Sequence, residues 1–190
     1  MKRKVILVTD GDTVARKAVE KAAKNIEGRC ISKSAGNPTP IEGSKIAGLI
    51  ETAKYDPVVI MLDDVGNPGT GEGELALDTL LSSPNLEVLG IVAVASNTEG
   101  VEGIKVNFSI DRNGNVVNKA VDKDGNVTED EILYGDTVDI INQYSIPLIV
   151  GIGDIGKMKG KDDCKKGSPI LTKALQEILN RSELWDEKEG

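Results

Sequence analysis

The feature that most constrains this chain is a recurrence: short β-rich apolar runs alternate with segments of helical period. VILVT (residues 5–9), CIS (30–32), PVVIML (57–62) and LGIVAVA (89–95) read as strands. The last of these has no polar position, the pattern of a strand buried on both faces. Between the first two, Val14, Ala15, Ala18, Val19, Ala22, Ala23 and Ile26 recur at helical spacing behind a capping Asp12 or Thr13, and Gly28 stands as the stop signal. A second helix over residues 44–54 offers Ile46, Ala47, Leu49, Ile50 and Ala53 to a core, and a third carries Leu75, Leu77, Leu80 and Leu81 after a glycine-rich loop at 66–73. Three βα units in succession predict an α/β fold: a doubly wound, mostly parallel sheet with helices on both faces. Residues 136–144 read as a further helix, PLIVGI (147–152) as a further buried strand, and Ser168 with Pro169 as the start of a final helix.

The rhythm breaks at about 106–134, where apolar and polar residues alternate and two near-identical turns occur, DRNGNV and DKDGNV. Asn-Gly and Asp-Gly tolerate the positive φ of tight hairpin turns, so this segment reads as an antiparallel β-hairpin insertion. Projecting from the sheet, it would offer an edge for a partner or for a second copy in a homo-oligomer. Residues 1–190 then form a single domain carrying this insertion.

Charge and residue content narrow the function classes. Lys and Arg total 23 against 31 Asp and Glu, a net charge of -8, so no broad basic face exists to neutralise phosphates and nucleic acid is excluded as an expected partner. No run approaches the ~20 apolar residues of a membrane helix, and the opening MKRKVILVTD reads as a strand rather than a signal peptide; no direct membrane insertion is expected. Histidine is absent, which removes Ser-His-Asp and Cys-His catalysis. Cys30 and Cys164 are too few for a disulfide framework or a cysteine metal cluster.

In open α/β sheets ligands bind beyond the carboxyl ends of the strands. The candidate binding residues are therefore Asp10 and Asp12 after the first strand, Asp63 and Asp64 after the third, Ser96 after the fourth, and Gly151, Gly153, Asp154 and Lys157 at the last. Two readings of the acids stand side by side. Asp10, Asp12, Asp63 and Asp64 would suit a divalent cation, magnesium foremost, because clustered carboxylates repel one another unless a cation compensates. Alternatively they cap the helices they precede. The first reading leads to a magnesium-dependent phosphate-handling enzyme or a receiver-like switch. D-x-D after a first strand resembles the haloacid dehalogenase-like phosphatases, but the acid expected four residues after Asp154 is Met158. Gly151, Gly153 and Gly156 spell G-x-G-x-x-G, yet no later βα unit can supply a ribose-binding acid, and the DKDGN turn lacks the glycine spacing of an EF-hand.

A longer pattern carries more information. VILVTDGD, RCISKSAGNP, DPVVIMLDD, LGIVAVAS, SIDRNG, VDKDG, GDTV and PLIVGIGDIGKMKGKDD followed by GSPI resemble, in order and spacing from about residue 2 to 182, the stage V sporulation protein AE family of spore-forming bacteria. The resemblance implies a soluble spore protein encoded with the spoVA membrane proteins that move calcium and dipicolinic acid across the spore inner membrane. Those proteins would be its partners in germination. It implies no established catalytic residue, cofactor or enzymatic activity.

Overall fold

The computed structural model describes residues 2–64 and 71–189. β1 (Arg3–Val8) runs through the middle of a seven-stranded sheet. Its side chains alternate between two cores: Ile6 and Val8 face one, Val5 and Leu7 the other. β3 (Val58–Met61) divides in the same period-two way, as does β4 (Leu86–Val94) from Ile91 onward, which is why these stretches are apolar throughout.

α1 (Thr13–Asn25) leads to the short β2 (Arg29–Cys30) at one edge of the sheet, and α2 (Gly43–Glu51) returns to β3 between β2 and β1. α3 (Glu72–Leu81) then carries the chain across to β4 on the opposite flank of β1. β1, β3, β4 and β9 (Ile149–Ile152) run parallel, so their carboxyl ends open on one side, where the chain switches direction about β1. α1 and the final helix α4 (Pro169–Glu189) pack in one core, α2 and α3 in the other. The sheet is thus covered on both faces, as the sequence pattern predicts. The glycine-rich loop expected at 66–73 falls for the most part outside the described residues; from Gly71 onward it forms the start of α3.

The insertion is antiparallel, as expected, but does not project as a single hairpin. β5 (Ile104–Lys105) and β8 (Ile132–Leu133) pair antiparallel as a small separate sheet. Between them, β6 (Phe108–Ile110) joins the main sheet parallel to β9, and β7 (Val116–Val117) adds an antiparallel edge. The reason lies in Ser109. Phe108 and Ile110 enter the α1/α4 core while the polar residue between them is also fully buried, so a two-sided strand shows the alternation of a one-sided one. The duplicated turns are as expected. Asp111 accepts from the backbone N–H groups of Asn113 and Asn115, Asp122 does the same for Asp124 and Asn126, and Gly114 and Gly125 take φ of 82° and 76°. The turns also dock on each other through Arg112 N–H to the Gly125 carbonyl at 2.8 Å. Residues 136–144 form only a 3-10 turn, Asp139–Gln143, preceded by Thr137 at φ 59°.

Candidate functional site

Thr9, immediately beyond β1, fixes the floor of the site: its N–H donates to the Val92 carbonyl and its Oγ1 accepts from the Val94 N–H, locking the end of β1 to β4. The next residues therefore emerge into the space above the strand ends. That space is a cavity of about 550 Å³, and Asp10, Asp12, Asp63, Ser96, Asp154 and Lys157 all line it. Six of the nine candidate residues are thus brought together.

Asp10 is strongly perturbed there. It is 9% exposed, and burial, followed by the charges of Asp12, Asp63 and Asp154, pushes its carboxyl up to about 7, against a single opposing hydrogen bond from the Asp12 N–H at 3.2 Å. Asp12 fulfils the capping expectation: its Oδ1 accepts from the Val14 and Ala15 N–H groups, both at 2.8 Å. Its Oδ2 meets Lys157 Nζ at 2.9 Å, and that ammonium also contacts Asp154 at 3.2 Å. Burial opposes the charged form of Asp12, but the Ala15 hydrogen bond and the Lys157 ammonium outweigh it and hold the carboxyl below its usual range. Partial burial likewise opposes the Lys157 charge, and the two aspartates overcome it to keep this ammonium above its ordinary value. Asp63, buried beside them, accepts from the Gly11 N–H at 3.1 Å. Gly11 is required there, since a Cβ would sit 2.6 Å from the Gly36 carbonyl oxygen.

Three candidates have other employment. Asp64 turns to α3, accepting from the Gly73 and Glu74 N–H groups at 2.5 and 2.9 Å and from Thr137 Oγ1 at 3.1 Å, so it caps that helix and ties down the 136–137 segment. Gly151 lies within β9 against Ser109 and is a packing position. Gly153 allows the second turn to cross the end of β9: a Cβ there would lie 2.7 Å from the Gly125 nitrogen. Asp154 N–H then donates to the Lys123 carbonyl at 2.8 Å. Among the described residues, no group of three or more His, Cys, Asp or Glu side chains is placed to hold a metal ion.

Sequence reasoning passed over Lys123, Asn37 and Asp136, which also line the cavity. Lys123 sits in a turn that reads as a remote hairpin tip, and nothing in DKDGN indicates that the turn folds back over the strand ends. The one legible sign for Asp136 is the glycine before it: a Cβ on Gly135 would collide with the Val94 carbonyl, which lets this segment close against β4.

Every residue of this cavity falls within the stretch matched by one family model, that of Stage V sporulation protein AE1, which spans residues 4–182. The chain belongs to this family. No curated protein and no solved structure matches it. As a member of the Stage V sporulation protein AE1 family it is a sporulation-related spore protein, and no helix among its described residues is long and apolar enough to cross a membrane.

Proposed function

We propose that this protein serves spore germination as an accessory to the spoVA membrane proteins that move calcium and dipicolinate, docking on them at the spore inner membrane and engaging a ligand in its strand-end crevice. The observation that carries the reading is the coincidence of the family match with a formed crevice: the match, residues 4–182, spans all the elements that build it. The side chains there are arranged for holding rather than turnover. Asp12 and Lys157 neutralise each other, Ser96 Oγ lies 2.7 Å from Thr98 Oγ1, and the chain has no histidine to relay a proton.

The test is dipicolinate release from germinating spores of a strain lacking this gene, complemented with the wild type or with Asp10→Asn. Loss of the gene is expected to slow release, the wild type to restore it, and Asp10→Asn to restore it poorly although the variant accumulates normally. Release at the wild-type rate from the deletion strain would refute the accessory role.

A further inference from the structure

We propose that a lysine face, formed where the loop after β9 packs along α1, docks on an anionic phospholipid surface. This face lies outside the crevice, and its role stands independently of what the crevice holds.

Net charge alone predicts no basic face, but the fold gathers one from two segments far apart in sequence. Ala15, Ala18, Val19, Ala22 and Ala23 bury one side of α1, and the helical period turns Lys17 and Lys21, four residues apart, to the outside. The 155–168 loop lies along the edge of that stripe. At one end a Cβ on Gly156 would stand 2.9 Å from Val14 Cγ1, and at the other Asn25 Nδ2 donates to the Gly167 carbonyl at 2.9 Å. A Cβ on Gly167 would also lie 4.0 Å from Lys21 Cε, so the loop and the lysine stripe are in contact. The loop contributes the exposed Lys161, Lys165 and Lys166, and Lys166 Nζ closes the loop on itself by donating to the Gly160 carbonyl at 2.5 Å. Among the described residues none of these five lysines has a carboxylate at ion-pair distance, whereas Lys157 and Lys159 earlier in the loop are taken up by Asp12, Asp154 and Asp124. The neighbouring acids have other partners. Asp162 is buried under the first turn of α4, Asp163 accepts from the Lys165 N–H at 2.8 Å, and Arg16 engages Glu20 at 3.0 Å. Lys24, one turn beyond Lys21, borders a groove with Glu20 and Glu27 beside β2 and is not part of the face.

The chemistry of the face selects a charged plane over a single small anion. All five charges are ammonium groups on flexible stems, with no arginine fork among them to grip one phosphate, and none of the five lines the crevice or the groove beside β2. Dispersed lysines of this kind are each attracted separately by a layer of anionic headgroups. Val14, 42% exposed at the head of the strip, adds an apolar side chain that such a layer can take up. The net charge of -8 does not cancel the attraction, because screening at physiological salt reaches only about 8 Å. The acids of α2 and α3, Glu51 and Asp78 among them, lie across the sheet from α1, beyond a helix that is itself about 10 Å wide.

Co-sedimentation of the purified full chain with vesicles tests this, comparing pure phosphatidylcholine with a mixture of phosphatidylcholine and phosphatidylglycerol. Binding is expected to the mixed vesicles and not to the neutral ones, and it should be lost in about 1 M sodium chloride, where screening shortens to about 3 Å. Lys21→Gln and Lys165→Gln should each weaken it about fivefold. Lys45→Gln removes the same unit of charge from α2 on the opposite face of the sheet, and should change binding less than about twofold. All three substitutions replace exposed side chains, so loss of folding does not separate them. Equal binding to both kinds of vesicle would overturn the proposal, as would a loss in Lys45→Gln as large as in Lys21→Gln, which would make net charge and not this face responsible. Tighter binding to polyglutamate or to duplex DNA than to the mixed vesicles would also overturn it, by assigning the face to another kind of polyanion. Release from the vesicles by inorganic phosphate, at an ionic strength where sodium chloride does not release the protein, would overturn it by revealing a discrete phosphate site.

Discussion

Asp10 and Asp162 are both buried aspartates, and they differ in the number of donors each finds and in the like charges that surround Asp10 alone. Asp162 is fully buried but accepts from the Gly156, Ile170 and Leu171 N–H groups at 3.0, 2.9 and 3.1 Å, satisfying the first turn of α4 and holding the post-β9 loop against it. Burial raises its carboxyl, and those three donors work in the opposite direction. We predict that Asp162→Ala costs about 2–4 kcal/mol in urea unfolding, because three buried donors lose their acceptor together. Asp10 has one donor, and its carboxyl stands at about 7 against an ordinary 3.8. The folded state therefore binds more protons than the unfolded state between those values. Its stabilising contribution is complete below about 4 and is lost as pH rises through about 7. We predict that Asp10→Asn is more stable than the wild type at pH 8, by up to about 4 kcal/mol, and that the gap closes toward pH 4. Urea midpoints at pH 4.5, 6 and 8 check it; a pH-independent gap would show that Asp10 is not the group that titrates.

At the scale of elements, β9 and β6 meet through a pair that neither segment announces. Gly151 of β9 faces Ser109 of β6, and a Cβ on the glycine would run into Ser109 Oγ, a buried hydroxyl with no hydrogen-bond partner among the described residues. We predict that Gly151→Ala destabilises by about 1–3 kcal/mol through overpacking, and that Ser109→Ala in the same chain recovers part of the loss. Thermal melts of the two single variants and the double variant should give a coupling of at least about 0.5 kcal/mol; strict additivity would deny the contact. The same pair shows what the sequence could convey. Elements with one-letter chemistry were legible: β1, β3 and β4 from unbroken apolar runs, the start of α1 from Asp12, both tandem turns from Asp and Gly at matching offsets. Elements defined by a distant neighbour were not. The glycine of β9 looks like a ligand loop until Ser109 is placed beside it. Asp63 and Asp64 look interchangeable until the period of β3 sends one into the crevice and the other to α3.

The far flank of the molecule's main sheet is built by the insertion, and this reverses what deleting that segment should do. A projecting ribbon at 107–131 could be replaced by a short Gly-Ser linker and leave a folded monomer. In the structure, the same cut removes β6 and β7, strips β9 of one of its two parallel neighbours and takes Phe108 and Ile110 out of the α1/α4 core. It also removes the ring over which Arg181 of α4 lies at 4.1 Å, and the turn that brings Lys123 to the crevice. Burial of Phe108 and Ile110 alone contributes about 3–6 kcal/mol, a large share of the roughly 5–15 kcal/mol that holds a domain of this kind together. The exposed flank of β9 would then present unpaired N–H and C=O groups to other chains. We predict that the deletion yields no cooperative thermal transition and elutes as aggregate in gel filtration, whereas Gly114→Ala, at a turn position with φ 82° and open space around it, costs only about 1 kcal/mol and leaves the transition intact. A deletion variant that melts cooperatively as a monomer would mean that the sheet is complete without β6 and that the insertion is an appendage.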